Sequence, residues 1–403
     1  MGKGFAVIDL ETTGFSPEKH DRIVEIGVVH LSPDGEVEAR YETVVNPQRD
    51  LGSQHIHGIS AAVASRAPVF DLIAPDVATL LDDRVPVAHN VVFDSRFLQY
   101  QMAEAGIAIP GRDHWLCTLR LSQSITGFRA LSECCSAMGI PLENAHSAGA
   151  DAYATAQLLS AYIGALADAD FWAQWLASAG HVATPAVYER VSWMPRLEAF
   201  RPEPSFLERI TSTLGTSRIG AHLNVDYLAL LDRVMLDDVI SASEADALIQ
   251  LAAELGLSTH DVRVAHRAYF DGLVNAAWSD HVLTAQEIEE IRCAGILLGI
   301  DASDVDRALL SEDSPALLTM PTSSGFRLAP TDIVVLTGEM TKPREEWEQL
   351  LTALGFQVKN NVVKKTKLLV AADPDSMSGK AKQARSYGVP IVNEAGLEKL
   401  LGV

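Results

Sequence analysis

Two acidic residues close an otherwise apolar run near the start of the chain, in "VIDLETTG" from Val7 to Gly14. Side chains alternate between the two faces of a strand, so Asp9 and Glu11 would share one face. Two carboxylates in one buried space repel each other, and burial adds a desolvation cost. Mg²⁺ or Mn²⁺ would remove the conflict, since both accept oxygen ligands. A strand that ends in solvent is the simpler alternative, and this short segment leaves both open.

Two later segments add residues of the same chemical kind. "AHNVVFD" at 88–94 places Asn90 and Asp94 four residues apart where a strand passes into a helix, hence on one helical face. "HSAGAD" at 146–151 places His146 in a loop or first helical turn and Asp151 just inside the helix. Taken singly, each acid is explained as a helix cap or a first-turn acid, and the histidine as a surface loop residue.

Together with Asp9 and Glu11, these side chains make the donor set of a two-metal phosphodiesterase. In such a site carboxylates hold two ions roughly 4 Å apart; one lowers the pKa of the attacking water and the other stabilises the leaving oxygen. A histidine with a near-neutral pKa accepts the proton from that water. The set therefore predicts in-line hydrolysis of a phosphodiester bond.

The segments "DLETTG", "HNVVFD" and "HSAGAD" resemble the three signature segments of the DEDDh 3'–5' exonucleases. This is the family of the proofreading epsilon subunit of bacterial DNA polymerase III. The resemblance covers about residues 1–166. It implies a ribonuclease H-like fold, two Mg²⁺ or Mn²⁺ ions per site, and release of nucleoside monophosphates from a 3' end.

Carried over by position, the resemblance also assigns a role to each residue. Asp9, Glu11 and Asp151 would bind the first metal ion, and Asp9 also the second. Asp94 would act largely through metal-bound waters, and His146 would be the general base. The family's "HGIT" nucleotide contact appears here as "HGIS" at 57–60. The expected substrate contacts are Thr12, Thr13, His57, Ile59 and Asn90.

The pattern of apolar residues predicts the elements that would position this site. Strands are expected at Gly4–Asp9, Ile23–Val29 and Tyr41–Val45, then a helix over Ala67–Leu81 and a strand at Val85–Ala88. Sequential strands followed by alternating helices and strands predict a mixed α/β sheet. Asp9 and Glu11 would lie at the carboxyl end of the first strand, where such sheets bind ligands.

Residues 225–310 contain an internal repeat with an offset of 43 positions, in which Asp237 and Glu244 correspond to Asp280 and Glu287. The repeat predicts an all-helical unit and resembles TerB-like tellurite-resistance domains. That resemblance would make the four acids metal ligands. Capping boxes at the start of each copy explain Glu244 and Glu287 without any metal, and we favour this explanation.

The last segment resembles a BRCT domain of the kind found in bacterial DNA ligases, through "VVLTGEM", "GFQV" and "SGKAKQARSYGVPIV". Thr337, Gly338 and Lys380 fall where that family binds phosphate, combining a hydroxyl, a backbone N–H and a lysine near a helix N-terminus. A protein-docking domain with an unused phosphate pocket is the alternative.

The predicted fold class is α/β: a ribonuclease H-like mixed sheet, an all-helical repeat domain and a small α/β BRCT domain. The predicted segments are residues 1–166 (exonuclease domain), 167–220 (connector), 221–312 (TerB-like helical repeat domain), 313–330 (linker) and 331–403 (BRCT domain). The four cysteines lack zinc-ligand spacing, and the adjacent pair, Cys134 and Cys135, suits buried thiols in a reducing compartment. The absence of a long apolar run predicts a cytoplasmic protein without a membrane partner.

Composition limits how the chain could bind nucleic acid. A net charge of -21 argues against strong unaided binding to a phosphate backbone. Residues 332–403 depart from this negative charge, with ten Lys or Arg against nine Asp or Glu.

We therefore predict a metal-dependent 3'–5' exonuclease for single-stranded or frayed DNA 3' ends in replication or repair. Its BRCT domain would bind a protein or phosphate-bearing partner. An exoribonuclease and a non-catalytic repair adaptor are the alternatives.

Overall fold

The structure is a computed structural model, and it describes residues 2–142, 146–166, 168–185, 188–201, 206, 209, 224–278, 282–310, 326 and 328–402. The chain divides into two compact units, residues 1–201 and 202–403. Among the described residues, no helix combines the length and the apolar character that crossing a bilayer requires. All four cysteines are free, and Cys134 and Cys135 are buried, as predicted.

The first unit is built on a five-stranded mixed sheet in the order β3-β2-β1-β4-β5. β1, β4 and β5 are parallel, and β2 runs antiparallel to both of its neighbours, which confirms the predicted sheet. The strands are β1 (Phe5–Thr12), β2 (Ile23–Leu31), β3 (Val37–Val44), β4 (Val85–Ala88) and β5 (Leu116–Cys117). The helices are α1 (Gln54–His57), α2 (Ala61–Arg66), α3 (Phe70–Leu81), α4 (Val91–Glu104), α5 (Thr118–Ile125), α6 (Leu131–Ala137), α7 (Ala148–Ala165), α8 (Ala169–Ala177) and α9 (Arg196–Ala199).

Several boundaries differ from the sequence prediction: β2 continues to Leu31, and β3 spans Val37–Val44 where Tyr41–Val45 is expected. β1 continues to Thr12, so Asp9 lies inside the strand and not at its end. The helix expected from Ala67 begins at Phe70. Ala67 has an extended backbone, because the residue before a proline is sterically disfavoured from helical conformation.

The two faces of β1 pack against different helices, and this decides where its acids point. Ala6, Ile8 and Leu10 belong to a buried cluster with residues of α3 and α4. Phe5 and Val7 belong to another cluster with residues of α7. Strand alternation therefore places Asp9 and Glu11 on the α7 side of the sheet.

The second unit joins a helical region to a small parallel sheet in the order β7-β6-β8-β9. Its helices are α10 (Val225–Val234), α11 (Ala242–Glu254), α12 (Thr259–Ala277), α13 (Ala285–Leu298), α14 (Ala302–Leu310), α15 (Arg344–Ala353), α16 (Gly379–Tyr387) and α17 (Glu394–Leu401). Its strands are β6 (Ile333–Thr337), β7 (Gln357–Lys359), β8 (Thr366–Ala371) and β9 (Ile391–Val392). Most of the predicted linker at 313–330 lies outside the described residues, but Phe326 and Leu328 pack on the core of the sheet.

Candidate active site

The antiparallel pairing of β1 with β2 adds a third acid to the predicted pair. Gly27 lies opposite Asp9, and Glu25 lies opposite Glu11. Residues that face each other in an antiparallel pair project to the same side of the sheet. Glu25 therefore shares the face of Asp9 and Glu11, and it is fully buried. Sequence reasoning missed this residue, although an acid inside the apolar run "IVEIGVV" was a usable signal.

Gly27 allows α7 to start directly above the sheet. A Cβ atom at Gly27 would lie only 2.2 Å from the carbonyl oxygen of Ala148, the first residue of α7. The close approach brings the first helical turn, with Asp151, next to β1. The backbone N–H of His146 donates to Oδ2 of Asp151 over 3.1 Å. Glu11, His146 and Asp151 each offer a metal-ligating atom within 4.8 Å of the other two.

The remaining predicted acid, Asp94, comes from the first turn of α4 and is only 4% exposed. Burial raises its pKa to about 8, and burial likewise raises the pKa of Glu11 to about 7. Burial also raises the pKa of Asp9 well above its ordinary value, and the negative charges of Asp94, Asp151, Glu11 and Glu25 raise it further. All four of the other carboxylates therefore act on the pKa of Asp9.

Such a cluster fits the hard divalent cations that the sequence predicted. The donors are carboxylate oxygens with one histidine, the set that Mg²⁺ and Mn²⁺ accept. Burying several like charges is costly unless a cation offsets them. Asp9, Glu11, Asp94 and Asp151 would hold the cations, with His146 exposed at the edge of the cluster. His146 adopts a left-handed backbone conformation, with φ of 69°, which is uncommon for residues other than glycine.

Thr12 and Thr13, the two threonines expected to contact substrate, lie at the end of β1. Both are buried. The hydroxyl of Thr12 donates to the carbonyl of Gly14 over 2.7 Å, and the hydroxyl of Thr13 accepts the backbone N–H of Arg22 over 3.0 Å. These bonds shape the turn after the acid pair, and contact with a nucleotide stays a prediction.

The other expected substrate contacts differ in exposure. Nδ1 of His57 accepts the backbone N–H of Ile59 over 3.1 Å, and both side chains are buried. Asn90 is exposed at the start of α4 and makes no capping bond with its side chain. His89 beside it is buried, with its ring nitrogens 3.0 Å from Thr118 Oγ1 and 2.7 Å from the Arg129 carbonyl, as expected for a structural histidine.

In the second unit, the predicted phosphate-binding residues meet at the carboxyl end of β6. Thr337 ends the strand, and Gly338 follows with φ of 87°. Lys380, from the start of α16, donates from Nζ to the carbonyl of Leu336 over 2.9 Å. Arg344 donates to the same carbonyl over 3.2 Å, which adds a second cation beside the site. Phosphate binding here stays a prediction.

Among the described residues, three of the four repeat acids have structural partners. Glu244 and Glu287 complete the predicted capping boxes with Ser241 and Thr284, and a metal-free role for the two acids stays a prediction. Asp237 accepts the backbone N–H groups of Asn393 and Val239, and Asp280 lies outside the described residues.

Comparison with known proteins identifies two of the segments. Residues 6–159 match the exonuclease family model RNase_T, and residues 331–401 match the BRCA1 C Terminus (BRCT) domain. The "3'-5' exonuclease DinG" of Bacillus subtilis is 33% identical over 156 residues, covering 38% of this chain and 16% of the relative. "DNA polymerase III PolC-type" of Thermotoga petrophila is 30% identical over 163 residues, covering 40% of this chain and 12% of the relative.

A shorter relative shows the same limit of coverage. "DNA polymerase III subunit epsilon" of Rickettsia felis is 33% identical over 99 residues, covering 24% of this chain and 43% of the relative. The matched part therefore spans less than half the length of each of these three relatives. The chain carries an exonuclease-family domain of the RNase_T type at its N-terminal end, similar to DinG and to DNA polymerase III epsilon, and a BRCT domain at its C-terminal end.

Proposed function

We propose that this chain is a metal-dependent 3'–5' exonuclease that hydrolyses phosphodiester bonds at DNA 3' ends and releases nucleoside monophosphates. The observation that carries the proposal is the convergence of Asp9, Glu11 and Asp151 with His146 beside the buried Asp94. The site lies in the segment that matches the exonuclease family.

Each residue has a role in the proposed reaction. Asp9, Glu11, Asp94 and Asp151 would hold two Mg²⁺ or Mn²⁺ ions. Bound there, the ions would supply Lewis-acid stabilisation of the attacking and leaving oxygens. The exposed His146 would accept the proton of the attacking water at the mouth of the site. Thr12, Thr13, His57, Ile59 and Asn90 would position the terminal nucleotide.

Two considerations favour DNA as the substrate. The relatives with the matched segment include proteins named as DNA polymerase III. The motifs of the last segment resemble those of BRCT domains in bacterial DNA ligases. The net charge of -21 disfavours strong unaided binding, so we expect recruitment through the BRCT domain to a protein or phosphate-bearing partner in DNA replication or repair. Action in the cytoplasm stays a prediction from composition. A non-catalytic adaptor is disfavoured because no acid of the set is missing.

The test is nucleotide release by the purified full chain from DNA and RNA single strands of one sequence, labelled at either end. Reactions contain Mg²⁺, Mn²⁺ or EDTA. We expect mononucleotides from DNA 3' ends with either metal and none with EDTA. Asp9→Asn should lower the rate by at least about 100-fold, since even outer-shell partners of metal ligands contribute roughly 10- to 100-fold.

The matched control is Glu36→Gln, which removes one negative charge from an exposed turn of the same unit. It should leave the rate within about twofold of the parent chain, because isolated surface charges contribute little. Release from RNA alone would favour the exoribonuclease. No release under any metal would leave the adaptor as the better explanation.

A further inference from the structure

We propose that Arg196 is a positioning residue of the exonuclease site, acting through Glu25, although it lies beyond the segment at 6–159 that matches the exonuclease family. The inference rests on the proposed function, and it extends the working site into residues that the sequence predicted to be a connector. Four observations carry it: the path of the chain, the contacts of the guanidinium, the contacts of Glu25, and the charges that Arg196 faces.

The chain returns to the sheet before α9 and pairs with the edge of β3. The backbone N–H of Val44 donates to the carbonyl of Met194 over 2.9 Å. The N–H of Met194 donates to Oγ1 of Thr43, also over 2.9 Å. The N–H of Arg196 donates to a carboxylate oxygen of Glu42 over 3.2 Å. These bonds set the position of the Arg196 backbone against the same sheet that carries the acids.

The guanidinium of Arg196 bridges two parts of the candidate site. Nη1 donates to Oε2 of Glu25 over 2.6 Å, and Nη2 donates to the backbone carbonyl of His57. A planar guanidinium holds two acceptors in fixed directions, which a lysine does not. One side chain therefore ties the acid face of β2 to the segment expected to contact the terminal nucleotide.

Glu25 connects Arg196 to the start of α7, which lies between His146 and Asp151 in the chain. Its Oε2 also accepts the backbone N–H of Ala148 over 3.1 Å. Ala148 begins α7, two residues after His146 and three before Asp151. A carboxylate that accepts an N–H at a helix start stabilises that end of the helix. Arg196, Glu25 and Ala148 thus form a continuous connection to the proposed base and to a metal ligand.

The positive charge of Arg196 acts on several acids of the candidate site. Burial raises the pKa of Glu11, Glu25 and Asp151, and the guanidinium of Arg196 lowers the pKa of all three. Without Arg196, Glu25 would be a buried carboxylate without a cationic partner, a strongly unfavourable state. Glu25 would then be expected to reorganise and release the N–H of Ala148. A displacement of about 1 Å in a catalytic group can cost roughly 100-fold in rate.

The test is a double-mutant cycle in the full chain with Arg196→Ala, Glu25→Gln and the double variant. Glutamine keeps an oxygen for Ala148 but removes the charge that Arg196 compensates. We expect Arg196→Ala alone to lower kcat for release of mononucleotides by 10- to 100-fold, at a temperature where every variant is folded. In the Glu25→Gln background the same change should lower kcat by less than about threefold, since coupled residues are non-additive.

Two further variants separate positioning from loss of charge or fold. Arg190→Ala removes an exposed arginine from the same segment, and its kcat should stay within about twofold of the parent chain. Arg196→Lys keeps the charge facing Glu25 and should retain more activity than Arg196→Ala. Unfolding temperatures of the four proteins of the cycle, measured in EDTA, should show the same non-additivity.

The outcomes are distinct. Additive losses in both kcat and unfolding temperature would overturn the proposal, as would an Arg196→Ala variant with the kcat of the parent chain. If the parent chain itself releases no nucleotide, the proposed function fails. The unfolding cycle then decides alone: additivity there overturns the coupling, and non-additivity supports it.

Discussion

Asp9 lies close to several other acidic side chains. Four other carboxylates raise its pKa in addition to burial: Asp94, Asp151, Glu11 and Glu25. A carboxylate whose pKa is raised on folding binds its proton more tightly in the folded state. Ionising such groups therefore destabilises the fold, and a bound divalent cation offsets that cost. The same crowding of carboxylates is what the proposed site for divalent cations requires.

This crowding predicts a pH dependence for the metal-free chain. The pKa values of Glu11 and Asp94 rise to about 7 and about 8, so the folded state holds more protons than the unfolded state between the ordinary carboxyl pKa of roughly 4 and those values. The free energy of unfolding must then fall as the pH rises toward those two pKa values. We expect the unfolding temperature of the first unit in EDTA to drop by at least about 4 °C between pH 6.5 and pH 8.5. Calorimetry of the full chain measures this.

Between pH 6.5 and pH 8.5 the buried histidines contribute little to the pH dependence of stability. Burial lowers the pKa of His30 and His57 to about 4, so most of the change in their contribution falls between that value and the ordinary histidine pKa of roughly 6.5. Saturating Mn²⁺ should abolish the decrease, and Asp9→Asn in EDTA should make it smaller. An unfolding temperature in EDTA that is constant or rises across this pH range would contradict the explanation.

At the scale of elements, the contact between β2 and α7 decides whether the site forms. Gly27 lies in β2 opposite Asp9, and its lack of a side chain lets the start of α7 lie against the sheet. Glycine inside a strand normally weakens it and often marks a close backbone approach. Here that approach brings the helix turn of Asp151 to the strand of Asp9.

A methyl group at this contact should therefore damage both stability and activity. Gly27→Ala would place a Cβ 2.2 Å from the Ala148 carbonyl oxygen, and α7 would have to move. We expect destabilisation of about 1–3 kcal/mol, as for other overpacked cores, and a loss of nucleotide release of at least about tenfold. Urea unfolding and the release assay measure the two effects.

Gly164→Ala is the matched control, because it lies in α7 with nothing within 4 Å of the added Cβ. Alanine favours a helix over glycine by about 1 kcal/mol, so this variant should be as stable as the parent chain or more so. If both variants behave alike, close packing at Gly27 does not control the site.

At the scale of the whole molecule, the helical region and the BRCT domain belong to one compact unit. The carboxylate of Asp375, in the loop before α16, accepts the N–H groups of Ala242 and Ser243 at the start of α11, over 3.0 and 2.8 Å. Lys399 of α17 pairs with Asp238 over 2.7 Å. A Cβ at Gly396 would lie 2.3 Å from Cβ of Asp237. These contacts hold the helical region and the BRCT domain together within one unit.

Loosening this contact should expose amides on both sides of it. In Gly396→Ala we expect faster hydrogen exchange at the start of α11 and at Asn393, whose N–H donates to Asp237. Hydrogen exchange of the full chain followed by mass spectrometry measures this. Gly379→Ala in α16 is the control, since nothing lies within 4 Å of its added Cβ. Unchanged exchange in Gly396→Ala would show that the regions are coupled elsewhere.

The sequence by itself determined the mixed sheet and the order of the exonuclease-like, helical and BRCT-like parts, and it predicted the acid set with His146. These follow from local information: the alternation of a strand puts Asp9 and Glu11 on one face, and capping boxes mark where helices begin. Such patterns are written in neighbouring residues and therefore need no knowledge of distant contacts.

Only the tertiary structure decided that Glu25 and Arg196 join the site. Glu25 enters through the register of β2 against β1, and a shift of one residue would turn it to the opposite face. Arg196 enters because an aperiodic segment rich in proline and tryptophan folds back onto the edge of β3. Both depend on pairings between residues far apart in the chain, and no local pattern encodes the free energy of those pairings.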